Sequence, residues 1–136
     1  MKGASSLPAC SAVSTATGSS LYGPELNRLA TFPFANKETG WHALLGPDYD
    51  RGTASAAAAP GRLGDASGLP PAYIEVGAVD IFRDESIAFA SLLLHTGVNV
   101  ELPVHPGLVH GFDHFAPDAD ATDRAIVDRV RTLRSL

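Results

Sequence analysis

The sequence has few cysteine, lysine and aromatic residues and no long hydrophobic run. With a single cysteine, Cys10, the chain cannot form a disulfide framework or a zinc site built from several of its own cysteines. With two lysines and a net charge of −5, the chain is a poor candidate for binding nucleic acid or an anionic membrane. No apolar stretch approaches the roughly 20 residues of a membrane span.

The amino-terminal region has a composition of its own. Residues 1–20 are rich in Ser, Ala, Thr and Gly and lack the continuous apolar core of a signal peptide. We therefore expect residues 1–31 to be irregular or disordered, and we expect the protein in the cytoplasm. Cys10 falls in this polar segment, which favours an incidental residue over a nucleophile.

The rest of the chain alternates strand and helix patterns, which predicts an α/β fold. The content of 45% hydrophobic and 18% charged residues is enough for a buried core. The predicted elements are helices at 36–46, 84–96 and 120–136 and strands at 72–77 and 99–105. In the second helix, the predicted apolar face consists of Ile87, Ala90, Leu93 and Leu94, and Gly97 predicts the end of that helix. In the second strand, Pro103 predicts an edge or an unpaired amide.

Both predicted strands end near residues that can carry chemistry. Asp80 follows the first strand and His110 follows the second. Because parallel neighbours end at the same edge of a sheet, the carboxylate could orient the imidazole, which would then act as a general base. The spacing leaves two alternatives open, in which Asp80 caps the following helix and His110 is a loop residue.

Several motifs resemble one family in order and spacing. They are Gly-Leu-Pro-Pro-Ala-Tyr-Ile-Glu-Val-Gly at 68–77, Asp-Ile-Phe-Arg-Asp-Glu at 80–85, and His-Pro-Gly followed by His-Gly-Phe at 105–112. They are similar to the hormone-sensitive-lipase-like esterases and lipases of the α/β-hydrolase fold. The resemblance implies that residues 32–136 form the carboxyl-terminal portion of such a domain with an incomplete sheet. It also implies that Asp80 is the triad acid and His110 the triad base.

The sequence departs from that family at the nucleophile. No serine lies in a Gly-x-Ser-x-Gly motif, and Ser67 is one place off the pattern. The His-Gly-Gly loop that supplies oxyanion-hole amides is also missing. We therefore expect the chain alone to be inactive as a carboxylic ester hydrolase. The alternatives are a non-catalytic remnant or interaction domain from a truncated gene, or one half of a split hydrolase.

The remaining predictions concern binding. Phe82 and Phe112 flank the pair and are candidates for a substrate-pocket wall, with core packing as the alternative. His105, His110, Asp113 and His114 fit no compact metal pattern, so no metal is predicted, and the resemblance implies no cofactor. The expected partner is a small-molecule ester, provided that a serine-bearing half completes the site, and an open sheet edge would allow self-association.

Overall fold

The computed structural model describes residues 34–50 and 53–135, with side chains described from residue 39 onward. The predicted irregular segment 1–31 lies outside these residues. The three predicted helices and two predicted strands are confirmed to within about two residues at most ends. The helices are α1 (Phe34–Leu45), α2 (Arg83–His95), α3 (Phe112–Phe115) and α4 (Asp120–Arg134), with a short 3-10 helix at Pro60–Arg62. The strand segments are β1 (Ala72–Tyr73), β2 (Val76–Gly77), β3 (Val100–Glu101) and β4 (Val104–His105).

The strand segments form one parallel ladder with a constant register. Ala72 stands beside Val100 in the β1–β3 pair, and Gly77 stands beside His105 in the β2–β4 pair. Between the two pairs, the ladder needs an amide donor at position 103 for the carbonyl oxygen of Ile74. Pro103 has no amide hydrogen, so this ladder hydrogen bond is missing, as the proline predicted. The missing bond divides each strand into two short segments.

Helix α2 connects the two strands and packs its buried face on one side of the sheet. That face consists of Ser86, Phe89, Ala90 and Leu93. It contributes to a core cluster with Ile74 and Val98, and both Ile74 and Leu93 are 2% exposed. Gly97 stops the helix as predicted. It lies just beyond the C-cap Thr96 with φ of 84°, and the amide of the next residue, Val98, donates to the Leu93 carbonyl at 2.9 Å.

The predicted apolar face of α2 is partly wrong. Ala90 and Leu93 are buried, but Ile87 is 41% and Leu94 is 58% exposed. Ile87 and Leu94 each follow a buried position by one residue, which rotates their side chains by about 100° around the helix. The sheet therefore covers the stripe that includes Ser86 and leaves these two aliphatic side chains at the surface.

Helix α4 lies near the opposite side of the sheet, where Arg129 reaches Glu75 of the first strand. Its buried residues are Thr122 and Ala125. Asp120 and Asp123 in its first turn complement the positive end of the helix dipole. In the part of the chain that is described, no helix combines the length and the apolar character that a membrane crossing requires.

Candidate active site

Asp80 lies in a tight turn directly after β2. Its amide donates to the Gly77 carbonyl at 3.1 Å, and its carbonyl accepts from the Arg83 amide at 3.2 Å. Its carboxylate Oδ1 accepts from the amide of Phe82 at 2.9 Å, a side-chain bond that stabilises such turns. The Arg83 guanidinium donates to the Ala78 carbonyl at 2.9 Å. The turn is therefore fixed on both sides, and Asp80 is only 5% exposed.

The loop after β4 carries His110 back over the end of β2. The carbonyl of Leu108 accepts from the amide of Val79 at 2.9 Å. This contact depends on Gly77, because a Cβ atom there would lie 2.2 Å from the Leu108 carbonyl oxygen. Gly107 and Gly111 have φ of 73° and 67°, which L side chains rarely adopt, and they turn the chain on either side of His110.

The two loops bring Asp80 and His110 into direct contact. His110 Nδ1 lies 2.9 Å from Asp80 Oδ2. An ionised carboxylate only accepts hydrogen bonds, so Nδ1 carries the hydrogen and Nε2 is the ring nitrogen with a lone pair in neutral His110. The hydrogen bond to Asp80 raises the pKa of His110 above its ordinary value, although burial partly opposes this effect. The charges of Asp80 and Asp113 raise the same pKa further.

The two predicted wall residues lie in different surroundings. Phe82 is 7% exposed, and its ring meets the His110 imidazole edge-on with 5.3 Å between centroids. Phe112 is also buried, but its ring packs against His105 at 5.5 Å. Phe82 therefore adjoins the Asp80–His110 pair, whereas Phe112 supports the ring of the residue that ends β4.

Other ionisable residues near the pair have contacts of their own. Asp84 accepts from the guanidinium of Arg83 at 2.7 Å, in the first turn of α2. Asp113 accepts from Arg129 at 2.8 Å, and His105 lies 3.7 Å from Glu75. Within residues 34–50 and 53–135, no three His, Cys, Asp or Glu residues form a group that could hold a metal ion.

Comparison with known proteins decides the family. A family model described as alpha/beta hydrolase fold matches residues 6–114, which is most of the chain. The chain belongs to the α/β-hydrolase fold family. The match begins within the segment for which the sequence predicts irregular structure.

Several proteins similar to this α/β-hydrolase are named as esterases. Carboxylesterase NlhH of Mycobacterium tuberculosis is 42% identical over 81 residues, which cover 57% of this chain and 25% of the relative. Esterase LipI of the same species is 40% identical over 91 residues, or 64% of this chain and 28% of the relative. The crystal structure of esterase LipW from Mycobacterium marinum superposes with a TM-score of 0.65 and 35% identity, covering 73% of this chain and 30% of that structure.

These comparisons confirm that the chain is of the esterase/lipase type within the α/β-hydrolases, as the motifs predicted. The chain spans about a quarter of the length of carboxylesterase NlhH and of esterase LipI. The predicted partial coverage of the fold is therefore also confirmed.

Sequence reasoning missed two features that shape this site. One is the close approach at Gly77, for which a glycine as the last residue of a strand was the only signal. The other is an ion pair between the largely buried carboxylate of Glu75 and the partly exposed guanidinium of Arg129, whose atoms approach to 2.7 Å. The residues are 54 positions apart, and no local pattern connects them.

Proposed function

We propose that this chain supplies the acid and the base of a carboxylic ester hydrolase, with Asp80 orienting His110 for proton transfer to and from a serine hydroxyl outside the chain. The observation that carries the proposal is the 2.9 Å contact between the His110 Nδ1 and Asp80 Oδ2 atoms at adjacent strand ends. The family and its esterase relatives supply the reaction class.

In the first half of the proposed reaction, Nε2 of His110 takes the proton of the serine hydroxyl as its oxygen attacks the ester carbonyl carbon. The imidazole becomes positively charged, and the adjacent Asp80 carboxylate stabilises that charge. His110 then gives the proton to the departing alcohol oxygen, which leaves the acyl group on serine. In the second half, His110 takes a proton from water, the hydroxyl oxygen attacks the acyl carbon, and the proton returns to the serine oxygen.

Burial strengthens the role of Asp80 in this scheme. Its carboxylate is nearly excluded from water and accepts from both the Phe82 amide and the His110 ring, so it does not need to reorganise when the imidazole gains charge. Phe82 packs against the imidazole and is our candidate for the substrate wall. The burial of Phe112 against His105 favours core packing for that residue.

The chain alone should hydrolyse esters very slowly, because it contains no Gly-x-Ser-x-Gly motif. This expectation is tested by assaying the purified chain with p-nitrophenyl butyrate beside its His110→Ala variant. Equally slow hydrolysis by the two proteins supports it. Robust turnover that disappears in His110→Ala would show that the chain has a nucleophile of its own.

A chimera tests the proposed roles directly. The region of this chain that matches carboxylesterase NlhH replaces the corresponding region of that relative, which then supplies the remaining part of the fold. We expect hydrolysis of p-nitrophenyl butyrate by the chimera, loss of most turnover in His110→Ala and a large loss in Asp80→Asn.

The chimera needs a control that alters the neighbouring carboxylate. Asp84→Asn removes the charge of a carboxylate that contacts Arg83, so its turnover should stay close to that of the unmodified chimera. If the chimera folds and is active but His110→Ala has no effect, the proposed role of His110 is wrong.

A further inference from the structure

Arg129 joins three separate parts of the structure through one guanidinium group. Its Nη2 and Nε atoms donate to the two carboxylate oxygens of Glu75 at 2.7 and 3.1 Å. Its Nη1 atom donates to Asp113 Oδ2 at 2.8 Å. Tyr73 donates a further hydrogen bond to Glu75 at 2.9 Å. The bidentate contact fixes the plane of the guanidinium, which in turn fixes where Asp113 lies.

The two carboxylates lie next to the two halves of the candidate site. Glu75 lies between β1 and β2, five positions before Asp80. Asp113 lies in the first turn of α3, three positions after His110. The guanidinium therefore links the strand that leads to Asp80 with the short helix that follows His110.

Helix α3 needs such a link because it is only four residues long. A single helical turn is unstable by itself, since nucleation costs more than one turn of hydrogen bonds returns. Its amino terminus has no side-chain cap. Two side-chain hydrogen bonds from α4 hold this turn. Thr122 donates to the carbonyl of Ala116, the residue that ends α3, at 2.7 Å, and Arg129 donates to Asp113 in the first turn, on the side nearer His110.

We propose that Arg129 is a positioning residue for His110: by bridging Glu75 and Asp113, it holds the turn after His110 at the distance that keeps the imidazole on Asp80. This inference rests on the proposed function, because it assigns Arg129 to the same Asp–His pair. Arg129 does not touch the imidazole in any contact of the described structure, so its effect passes through Asp113 and α3.

The sign of the change in the His110 pKa separates positioning from electrostatics. Removing a cation makes the surroundings more negative, which by charge alone would raise the pKa of His110. Loss of the Asp80 hydrogen bond acts in the opposite direction, because that bond is the largest cause of the raised pKa. A positioning role therefore predicts a lower pKa, and a purely electrostatic role predicts a higher one.

The test follows the imidazole of His110 by NMR in the full chain with labelled histidine. The chain has five histidines, so the His110 signal is assigned by its loss in His110→Gln. In Arg129→Ala, we expect the His110 pKa to fall toward its ordinary value near 6.5. Arg129→Lys is measured beside it. Lysine keeps the positive charge near the Glu75 carboxylate but cannot donate from three fixed nitrogen atoms to Glu75 and Asp113 at once. The same fall is expected there.

Two further variants make the result decisive. Arg131→Ala removes another arginine of α4 that pairs with Glu101 and Asp128 at the surface, and it should leave the His110 pKa unchanged. Asp80→Asn should lower that pKa and so show that the Asp80 hydrogen bond exists in solution.

The outcomes separate the two proposals. If Asp80→Asn lowers the pKa of His110 but both Arg129 variants leave it unchanged or raise it, the positioning role is wrong and the proposed function stands. An equal fall in Arg131→Ala would also overturn the positioning role, because it would indicate a general loosening of α4. If Asp80→Asn has no effect, both the proposed function and this inference fail.

Discussion

Replacing Gly77 with alanine tests whether the close approach of two loops builds the candidate site. The new Cβ atom would lie 2.2 Å from the carbonyl oxygen of Leu108 and 2.7 Å from its carbonyl carbon. Both are backbone atoms, so no side-chain rotation relieves the clash. The Leu108 carbonyl has to move by about 1.2 Å to reach the 3.4 Å of an ordinary contact.

The cost of that movement has two parts. Overpacking in a well-packed region costs about 1–3 kcal/mol. The hydrogen bond from the Val79 amide to the Leu108 carbonyl, 2.9 Å long, would be broken or stretched at a cost of about 1 kcal/mol. We therefore expect Gly77→Ala to lower the free energy of unfolding by about 2–4 kcal/mol.

The same movement should reach His110, which lies two residues after Leu108. A shift of about 1 Å would lengthen the 2.9 Å contact with Asp80 beyond hydrogen-bonding distance. The pKa of His110 should then fall toward its ordinary value. In the active chimera, a displacement of this size should lower ester turnover by roughly 100-fold.

Urea unfolding, the NMR titration of His110 and the esterase assay of the chimera measure these three effects. The matched control is Gly64→Ala, because a Cβ atom at Gly64 meets nothing within 4 Å. Its free energy of unfolding should change by no more than about 0.5 kcal/mol. A Gly77→Ala protein with wild-type stability and an unchanged His110 pKa would refute the reasoning from the close approach.

Two further predictions concern the charge of the pair and the packing of α2. The folded state raises the pKa of His110, so the stability that wild type has over His110→Gln should be greatest below about pH 6.5 and should decline as the pH rises through the folded-state pKa. Urea unfolding of both proteins at about pH 5.5 and 8.5 measures this difference, and an equal difference at both values would contradict it. Leu93→Ala should lower the free energy of unfolding by about 2–5 kcal/mol, because Leu93 is 2% exposed. Leu94→Ala, at a position that is 58% exposed, should change it by less than about 0.5 kcal/mol, and similar losses in the two variants would contradict the assigned face.

The Asp80–His110 contact was predictable because it depends mainly on the direction and the register of two neighbouring strands. Two strands joined by one helix run parallel, and their carboxyl ends meet at one edge whatever the details of packing. The constant register from Ala72 beside Val100 to Gly77 beside His105 brings the two loops together. The resemblance to a family then identified which carboxylate and which imidazole to compare.

The buried face of α2 was harder to predict because the sequence offers two apolar stripes. Residue type alone favours Ile87 and Leu94, which are larger than Ser86 and Ala90. The sheet instead covers the stripe with Ser86 and Phe89. That stripe combines the large side chains of Phe89 and Leu93 with the small ones of Ser86 and Ala90. Which stripe fits depends on the shape of the partner surface, which the helix sequence does not contain.

The Glu75–Arg129 pair lay beyond sequence reasoning for a different physical reason. Strand alternation places Glu75 on the sheet face opposite Ile74 and Val76, and its nearly buried carboxylate requires a cation there. Several residues of α4 have the right charge, namely Arg124, Arg129, Arg131 and Arg134. Only the rotation and crossing angle of α4 on the sheet select one of them, and neither follows from the helical period. The selected arginine then also meets Asp113, so the docking of α4 is coupled to the turn that follows His110.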